Sequence, residues 1–251
     1  MPHTGETPDT APLRIDRRGD RVVAMLNRPR VRNAIDQDLV DRLHVLCAEL
    51  EASPRILIIT GADGVFASGA DIAQLRRRRA ADARAGINTT VFRRIRALPM
   101  PVIAAIDGYA LGGGAELAYA ADLRIGTPEV RIGNPETGLG IIAAAGATWR
   151  LPELVGEARA AELLYTGRIL TADEALAWGL LSALHPAAEL MDAAHALADR
   201  IAANDPLAVR HTKTALLSDD HPAIDLELQA ELFESPAKIA RMTAFLERHR
   251  R

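Results

Sequence analysis

Two glutamates, twenty residues apart, are the side chains of this sequence best suited to acid–base chemistry. Glu116 lies near the start of an expected helix that is otherwise apolar from Ala115 to Ala120, and a carboxylate there costs desolvation energy unless something compensates. Glu136 follows Pro135 in a glycine-rich turn. On neighbouring segments, the two carboxyl groups can converge on one substrate as acid and base. The alternative is that Glu116 only favours the helix N-terminus and that Glu136 is a solvated loop residue.

Two glycine-bearing turns are the second feature with chemical meaning. Phe66–Ile72 follows an expected strand at Ile56–Thr60, and Gly108–Gly114 follows another at Val102–Ile106 and precedes the helix Ala115–Ala121. Small residues let the backbone approach a ligand, and a helix that follows directs free N–H groups outward. Neither turn has the spacing of a phosphate-binding P-loop or of a dinucleotide fingerprint. For each turn taken singly, a purely structural role is the alternative.

The elements that must position these groups alternate between strands and helices over the first two-thirds of the chain. Leu13–Asp16 and Arg21–Leu26 flank a glycine turn and predict a β-hairpin. Asp36 is placed to cap a helix with an apolar face. This alternation is typical of an α/β fold. The apolar face of the helix comprises Leu39, Val40, Leu43, Leu46 and Leu50.

The last third of the sequence changes to helix signals alone. Thr171 and Glu174 form a capping box, and Asp205 followed by a proline predicts another helix start. We therefore predict a β/α core over residues 13–185 and a helical C-terminal region over residues 186–251. Residues 1–12 are rich in proline, threonine and acidic side chains, which predicts a disordered leader, not a signal peptide.

Composition narrows the class of protein further. The 251 residues are 49% hydrophobic and 25% charged with a net charge of −3, which is typical of a globular protein and gives no electrostatic case for nucleic acid. The most apolar stretch, 101–121, is interrupted by Asp107, Glu116 and three consecutive glycines, so no membrane span is predicted. Cys47 is the single cysteine and is expected to be buried. We expect a cytoplasmic protein.

Taken together and in order, these motifs resemble those of the crotonase, or enoyl-CoA hydratase/isomerase, superfamily, from about Leu13 to the C-terminus. A set of motifs in one order is far more specific than any one of them. The matching segments are Leu26-Asn27-Arg28-Pro29, Asn33-Ala34, Phe66–Ile72, Gly108–Leu117, Pro135-Glu136 and Thr171–Leu180.

The resemblance implies a fold, an assembly and a reaction centre. The fold is an α/β crotonase-like ββα spiral core with a C-terminal helical region that drives assembly into a homotrimer or a dimer of trimers. The backbone N–H groups of Ala70 and Gly113 are expected to form an oxyanion hole, and Glu116 and Glu136 to hold a water molecule between them. No metal or redox cofactor is expected, because coenzyme A is part of the substrate.

The resemblance also implies which residues lie along a bound acyl-CoA. The expected substrate-binding residues are Arg30, Val31, Ala67, Ala70, Asp71, Ile72 and Gly113. The sequence departs from the family pattern after the second glutamate, where residues 143–148 read Ala-Ala-Ala-Gly-Ala-Thr in place of Pro-Gly-Ala-Gly-Gly-Thr. Alanine keeps the backbone N–H donors of this stretch. The sequence does not determine the shape of the pocket or the acyl chain that it prefers.

The first functional hypothesis is therefore an enoyl-CoA hydratase, a hydro-lyase that adds water across the 2,3-double bond of an enoyl-CoA thioester. A Δ3,Δ2-enoyl-CoA isomerase is the second hypothesis, and a non-catalytic acyl-CoA-binding protein is the third. The presence of both glutamates favours hydration over isomerisation, which needs only one base. A two-carboxylate glycosidase is disfavoured because aromatic residues are only 4% of the chain.

Two further charged features have more ordinary interpretations. Arg76–Arg79 is a run of four cations, interpreted as a solvated helix face, with long-range attraction of the CoA phosphates as the alternative. Asp71 follows the expected donor Ala70, and a structural or N-capping role is favoured for it over a catalytic one.

Overall fold

The computed structural model describes residues 10–248, in two compact units that divide between Ala198 and Asp199. The predicted leader lies outside the described residues up to residue 9. The predicted boundary near residue 185 precedes the helix Leu190–Ala202, whereas the division between the two units falls inside that helix.

A five-stranded sheet forms the base of the first unit. β1 and β2 are the predicted hairpin, paired antiparallel, and the other strands are parallel in the order β1-β2-β3-β5-β7. β3 and β5 are the predicted apolar runs, with every residue buried from Ile56 to Thr60 and from Val102 to Ile106; strands covered on both faces have this composition. The strands are β1 (Leu13–Arg17), β2 (Arg21–Leu26), β3 (Ile56–Gly61), β5 (Val102–Ile106) and β7 (Leu123–Gly126).

A second sheet of four short strands was not predicted from the sequence. Each strand has three residues, which is too short to show any periodicity in the sequence. The order is β4-β6-β8-β9, and only β9 runs antiparallel to its neighbour. These strands are β4 (Val65–Ala67), β6 (Tyr109–Leu111), β8 (Arg131–Gly133) and β9 (Ile169–Thr171).

The two sheets are connected by a repeated pattern. β3 leads to β4, β5 to β6 and β7 to β8, so each of these three strands of the large sheet is followed by one of the small sheet and then by a helical segment. The expected spiral of ββα turns is confirmed.

Helices cover the first unit, and their predicted ends are present. Asp36 accepts a hydrogen bond from the Leu39 N–H at the start of α1, whose apolar face, including Cys47, is buried. Thr171 and Glu174 make the predicted capping box. The helices of this unit are α1 (Gln37–Ala52), α2 (Ile72–Leu75), α3 (Ala80–Ala85), α4 (Ile87–Arg96), α5 (Gly113–Ala120), α6 (Ala147–Val155), α7 (Glu157–Thr166), α8 (Ala172–Ala177) and α9 (Leu190–Ala202), which extends into the second unit.

The second unit continues with three helices, as the sequence predicts. Asp205 caps the first of them through the Ala208 N–H, 2.9 Å from its Oδ1. None of the helices in residues 10–248 combines the length and the apolar character needed to cross a lipid bilayer. The three helices are α10 (Pro206–Leu216), α11 (Ala223–Phe233) and α12 (Pro236–Arg248).

Candidate active site

One cavity of about 720 Å³ in the first unit brings together the features singled out in the sequence. Ala70 and Gly113 from the two glycine turns line it, and so do Glu116 and Glu136. The predicted convergence of the two turns with the two glutamates is therefore present.

The pairing of β4 with β6 explains why the two turns meet. These strands are parallel, with Ala67 opposite Ala110. Parallel neighbours end at the same edge of a sheet, so the chain leaves β4 towards Ala70 and leaves β6 towards Gly113 on the same side.

The direction of the Ala70 N–H follows from an isolated parallel bridge to Ile35. The Ile35 N–H donates to the Gly69 carbonyl at 2.8 Å, and the Asp71 N–H donates to the Ile35 carbonyl at 3.1 Å. In a parallel bridge of this kind, the residue between the two bonded positions directs its own N–H and C=O away from the partner strand. The Ala70 N–H therefore points away from Ile35.

Gly113 is the first residue of α5, so its N–H lies outside the i→i−4 hydrogen-bond ladder of the helix. The position that a Cβ would take on Gly113 is 3.6 Å from the Ala70 nitrogen. The amides of the two turns consequently border one small space.

Three consecutive glycines serve three different needs at this point. Gly112 has a φ of 51°, and a Cβ on it would lie 2.9 Å from the Glu136 Oε1. A Cβ on Gly114 would lie 2.2 Å from the Ala67 carbonyl oxygen, so only glycine permits α5 to pack this closely on β4. Gly113 has no positive φ, and a Cβ on it would make no backbone contact as close as that of Gly114. Its missing side chain instead leaves the space beside Ala70 open.

Glu116 is almost completely buried, with 4% of its surface exposed. Its Oε1 accepts hydrogen bonds from the backbone N–H groups of Ala145 at 2.7 Å and Ala147 at 3.1 Å. Burial raises the pKa of Glu116 to about 8; the negative charge of Glu136 adds to the increase, and the amides that bond the carboxylate oppose it.

The departure from the family pattern at residues 143–148 thus leaves the backbone donors intact. Alanine carries the same N–H as glycine, and two of these amides hold Glu116 in place. Between them, Gly146 adopts a φ of 151°, which alanine rarely adopts.

Glu136 lies opposite, in a 3₁₀ turn over Pro135–Leu139. Its Oε1 is 3.4 Å from the Asn134 Nδ2, and its Oε2 is buried without a hydrogen-bond partner among the described residues. Burial also raises the pKa of Glu136, against smaller lowerings by its own backbone N–H and by the Asn134 amide.

A buried pair of polar side chains behind Glu136 was missed by the sequence analysis. The Tyr119 hydroxyl donates to the Asn134 Oδ1 at 3.0 Å, and the Asn134 amide also approaches the Gly112 carbonyl at 3.4 Å. This fixes the orientation of the Asn134 amide beside Glu136. The available signal was a tyrosine within an apolar helix, which needs a hydrogen-bond partner when buried.

The expected substrate-binding residues divide into two groups. Ala70, Ile72 and Gly113 line the cavity. Arg30, Val31, Ala67 and Asp71 are not among the lining residues. Arg30 and Val31 are exposed in a 3₁₀ turn over Pro29–Val31, Ala67 is fully buried, and Asp71 caps α2 through the Gln74 N–H.

Val31 nevertheless lies next to a residue of the cavity. The Ser68 hydroxyl donates to the Val31 carbonyl at 3.4 Å, and Ser68 is part of the lining. For Asp71, the N-capping role favoured from the sequence is confirmed by the 3.0 Å hydrogen bond from the Gln74 N–H.

The interpretation of Arg76–Arg79 as a helix face was wrong. Arg76 is the C-cap of α2 and Arg79 the N-cap of α3, so the run forms the turn between two short helices. Extended backbone at Arg79, with φ of −119° and ψ of 179°, interrupts the helix. Arg78 and Arg79 line the cavity, and the ion pairs of residues 10–248 do not include either guanidinium.

A protein family and several known proteins match this chain over most of its length. A family model described as enoyl-CoA hydratase/isomerase matches residues 19–251. The short-chain-enoyl-CoA hydratase of Clostridium acetobutylicum is 37% identical over 247 residues, which cover 94% of this chain and 95% of that protein. The crotonyl-CoA hydratase of Syntrophomonas wolfei is 38% identical, with 91% and 92% covered.

Solved structures agree with the sequence comparisons. The crystal structure of an enoyl-CoA hydratase from Bacillus anthracis superposes with a TM-score of 0.90 at 34% identity, covering 95% of this chain and 97% of the other. Because the family model and these relatives extend over nearly the whole chain, and because the fold is shared, this chain belongs to the enoyl-CoA hydratase/isomerase family.

Proposed function

We propose that this protein is an enoyl-CoA hydratase that adds water across the 2,3-double bond of an enoyl-CoA thioester. The observation that carries the proposal is the single cavity in which the Ala70 and Gly113 amides border one space beside two buried carboxyl groups. The relatives named above as hydratases of short-chain enoyl-CoA and crotonyl-CoA support the same activity.

The two amides act on the thioester oxygen. When water adds to C3, the electrons of the double bond move towards the thioester and negative charge develops on its oxygen. The N–H groups of Ala70 and Gly113 are fixed by the parallel bridge and by the helix start, so they need no reorganisation to stabilise that charge. Loss of one such donor costs about 3 kcal/mol of transition-state stabilisation.

The two glutamates act on the water. Burial raises the pKa of both carboxyl groups, and the charge of Glu136 adds to the increase at Glu116, whose pKa of about 8 lets it retain a proton at neutral pH. One carboxylate takes a proton from the water as its oxygen bonds to C3, and the other carboxyl group delivers a proton to C2. General acid–base catalysis of this kind contributes roughly 10²–10⁴-fold to the rate.

The rest of the cavity suits the acyl chain of the substrate. Its lining is mostly apolar beyond the carboxyl groups, with Leu75, Leu139, Ile141 and Ile142 among the contributing side chains. An aliphatic or otherwise apolar acyl group is the substrate class that this surface favours.

A hydration assay with crotonyl-CoA tests the proposal. We expect wild-type protein to remove the absorbance of the conjugated enoyl thioester, and both Glu116→Ala and Glu136→Ala to abolish that activity. No hydration of crotonyl-CoA, together with conversion of a 3-enoyl-CoA to the conjugated 2-enoyl-CoA that is lost in Glu136→Ala, would instead identify an isomerase. Tight binding of the CoA ester without turnover would identify a non-catalytic acyl-CoA-binding protein.

A further inference from the structure

Asn88 lies beside the two amides and has no role in the mechanism described so far. It is the second residue of α4, which begins after Gly86 in the left-handed conformation at a φ of 62°. Asn88 lines the same cavity as the two glutamates. This placement brings a side-chain carboxamide from a different segment to the glycine turns.

The space beside Gly113 is where the three segments meet. The position of a Cβ on Gly113 is 3.3 Å from the Asn88 Nδ2 and 3.6 Å from the Ala70 nitrogen. Apart from the chain neighbours of Gly113 and the backbone of its own helix, these are the only described atoms within 4 Å of that position. Nitrogen atoms of Ala70, Gly113 and Asn88 therefore surround one open space.

The Asn88 side chain makes no hydrogen bond within residues 10–248, which leaves it available to a ligand. Its Oδ1 is buried without a hydrogen-bond partner, and within residues 10–248 its Nδ2 donates to no other group. A carboxamide held in a protein without partners forgoes about 1–3 kcal/mol for each unsatisfied buried group. The Nδ2–H, which faces the space beside Gly113, gains an acceptor when a ligand oxygen occupies that space.

We propose that Asn88 is a third, side-chain donor of the oxyanion hole, and that its Nδ2–H binds the thioester oxygen together with the N–H groups of Ala70 and Gly113. This proposal rests on the proposed function, because it assigns a residue to the same reaction. An oxygen atom in the space beside Gly113 lies within reach of all three nitrogens. Asn88 is then a catalytic residue that touches the reacting thioester.

The Asn88 donor can be removed by mutation, whereas the N–H groups of Ala70 and Gly113 belong to the backbone and remain in any variant other than proline. Asn88→Leu keeps the size of the side chain and removes the N–H, so kcat for crotonyl-CoA hydration is expected to fall by about 10²–10³-fold. Asn88→Asp keeps the shape, removes the donor and adds negative charge next to the developing oxyanion, so a larger loss is expected. Thr90→Val, on the same helix but outside the cavity lining, is the matched control and is expected to retain wild-type kcat.

A binding measurement separates a lost donor from a distorted pocket. Acetoacetyl-CoA forms an enolate that places negative charge on the thioester oxygen, and free CoA lacks that oxygen. For Asn88→Leu we expect acetoacetyl-CoA to bind at least about tenfold more weakly, in proportion to a lost charge-assisted hydrogen bond, and free CoA to bind as it does to wild type.

Two outcomes would overturn the role of Asn88 without touching the proposed function. One is wild-type hydration with kcat for Asn88→Leu and Asn88→Asp within threefold of wild type. The other is an equal loss of affinity for acetoacetyl-CoA and free CoA, which would indicate a structural role. Absence of hydration in the wild-type protein would overturn the proposed function itself, and the acetoacetyl-CoA comparison would then still test the donor.

Discussion

Glu116 combines a position that favours catalysis with a cost to stability. Its carboxyl group is buried and has a pKa raised from 4.5 to about 8, mainly by desolvation. A carboxyl group with a raised pKa in the folded state binds its proton more tightly there than in the unfolded chain. Its favourable contribution is therefore complete below about pH 4.5 and is lost as the pH rises towards 8.

The isosteric variant Glu116→Gln is expected to be more stable than wild type at neutral pH, because it keeps an acceptor for the Ala145 and Ala147 amides and carries no charge. The gain at pH 8 is expected to be on the order of 1–3 kcal/mol, and hydration activity is expected to be lost. Chemical denaturation of both proteins between pH 4.5 and pH 8 measures the difference, which should grow with pH.

Glu129→Gln is the control for this comparison, since Glu129 is exposed in a turn. It should leave both stability and its pH dependence unchanged. A Glu116→Gln protein that is less stable than wild type throughout this pH range would show that the carboxylate is satisfied in the folded state.

Gly113 and Gly114 allow the open space and the fold to be tested separately. Gly113 does not have a positive φ, so Gly113→Ala is expected to fold normally, with a Tm within about 3 °C of wild type. Its methyl group would occupy the space of the thioester oxygen and lower kcat at least about 100-fold. Thermal unfolding and the crotonyl-CoA assay measure the two effects.

Gly114→Ala provides the opposite result. Its Cβ would lie 2.2 Å from the Ala67 carbonyl oxygen, a contact that forces α5 away from β4. Large loss of stability is therefore expected for this variant. Full activity in Gly113→Ala would mean that the substrate oxygen is bound elsewhere in the cavity.

At the scale of elements, the sequence predicts long segments and misses short ones for a physical reason. The helix α1, the hairpin β1–β2 and the strands β3 and β5 are long enough to show an apolar period or run, and all are confirmed. The three-residue strands of the small sheet have no such signal. They are nevertheless what brings the two glycine turns to one edge.

The candidate site shows the same limit. The two glutamates and the two glycine turns stand out from local sequence because each breaks a local pattern. Asn88 and Asn134 are polar residues in ordinary contexts, and their importance arises only from neighbours 15 to 25 residues away in the chain, namely Tyr119 and Gly113. Contacts at such separations are fixed by the packing of the ββα turns, which local spacing does not encode.

One of the recognised motifs has a structural role that can be measured. The buried Asn33 Nδ2 donates to the carbonyl groups of Ala62 at 3.0 Å and Val65 at 2.6 Å, and its Oδ1 accepts from the Arg28 N–H at 2.8 Å. Its φ is 55°, a conformation that asparagine tolerates better than most residues. Asn33 therefore fixes the turn between β3 and β4, from which the chain reaches Ala70.

Asn33→Ala is expected to destabilise the protein by roughly 2–4 kcal/mol, because it removes three hydrogen bonds and places alanine at a positive φ. Asn33→Gly loses the same hydrogen bonds without the backbone strain, so it should be less destabilising by about 1 kcal/mol. Denaturant titrations of the two variants separate the contributions. Equal stability of Asn33→Ala and wild type would contradict this role.

At the scale of the whole molecule, the second unit exposes more apolar surface than its size explains. Neither α11 nor α12 contains a buried residue. Large hydrophobic side chains that are exposed in this unit are Leu216, Leu217, Leu226, Phe233, Ile239, Met242, Phe245 and Leu246. The second unit thus exposes eight large hydrophobic side chains in its fifty described residues, whereas the described part of the much longer first unit exposes ten.

Exposed apolar residues at this density indicate a surface that is covered by another protein, and a second copy of the same chain is the common solution. The family resemblance implies threefold assembly, so we predict a homotrimer or a dimer of trimers, with a mass in solution of three or six times the 27.0 kDa of one chain. Sedimentation equilibrium measures this directly. Leu226→Asp and Phe245→Asp each replace an exposed apolar side chain of the second unit with a charge and should shift the protein to smaller species. Tyr165→Asp alters a still more exposed residue of the first unit and should leave the mass unchanged. A monomeric wild-type protein at micromolar concentration would show that this apolar surface is stable in water without a second copy.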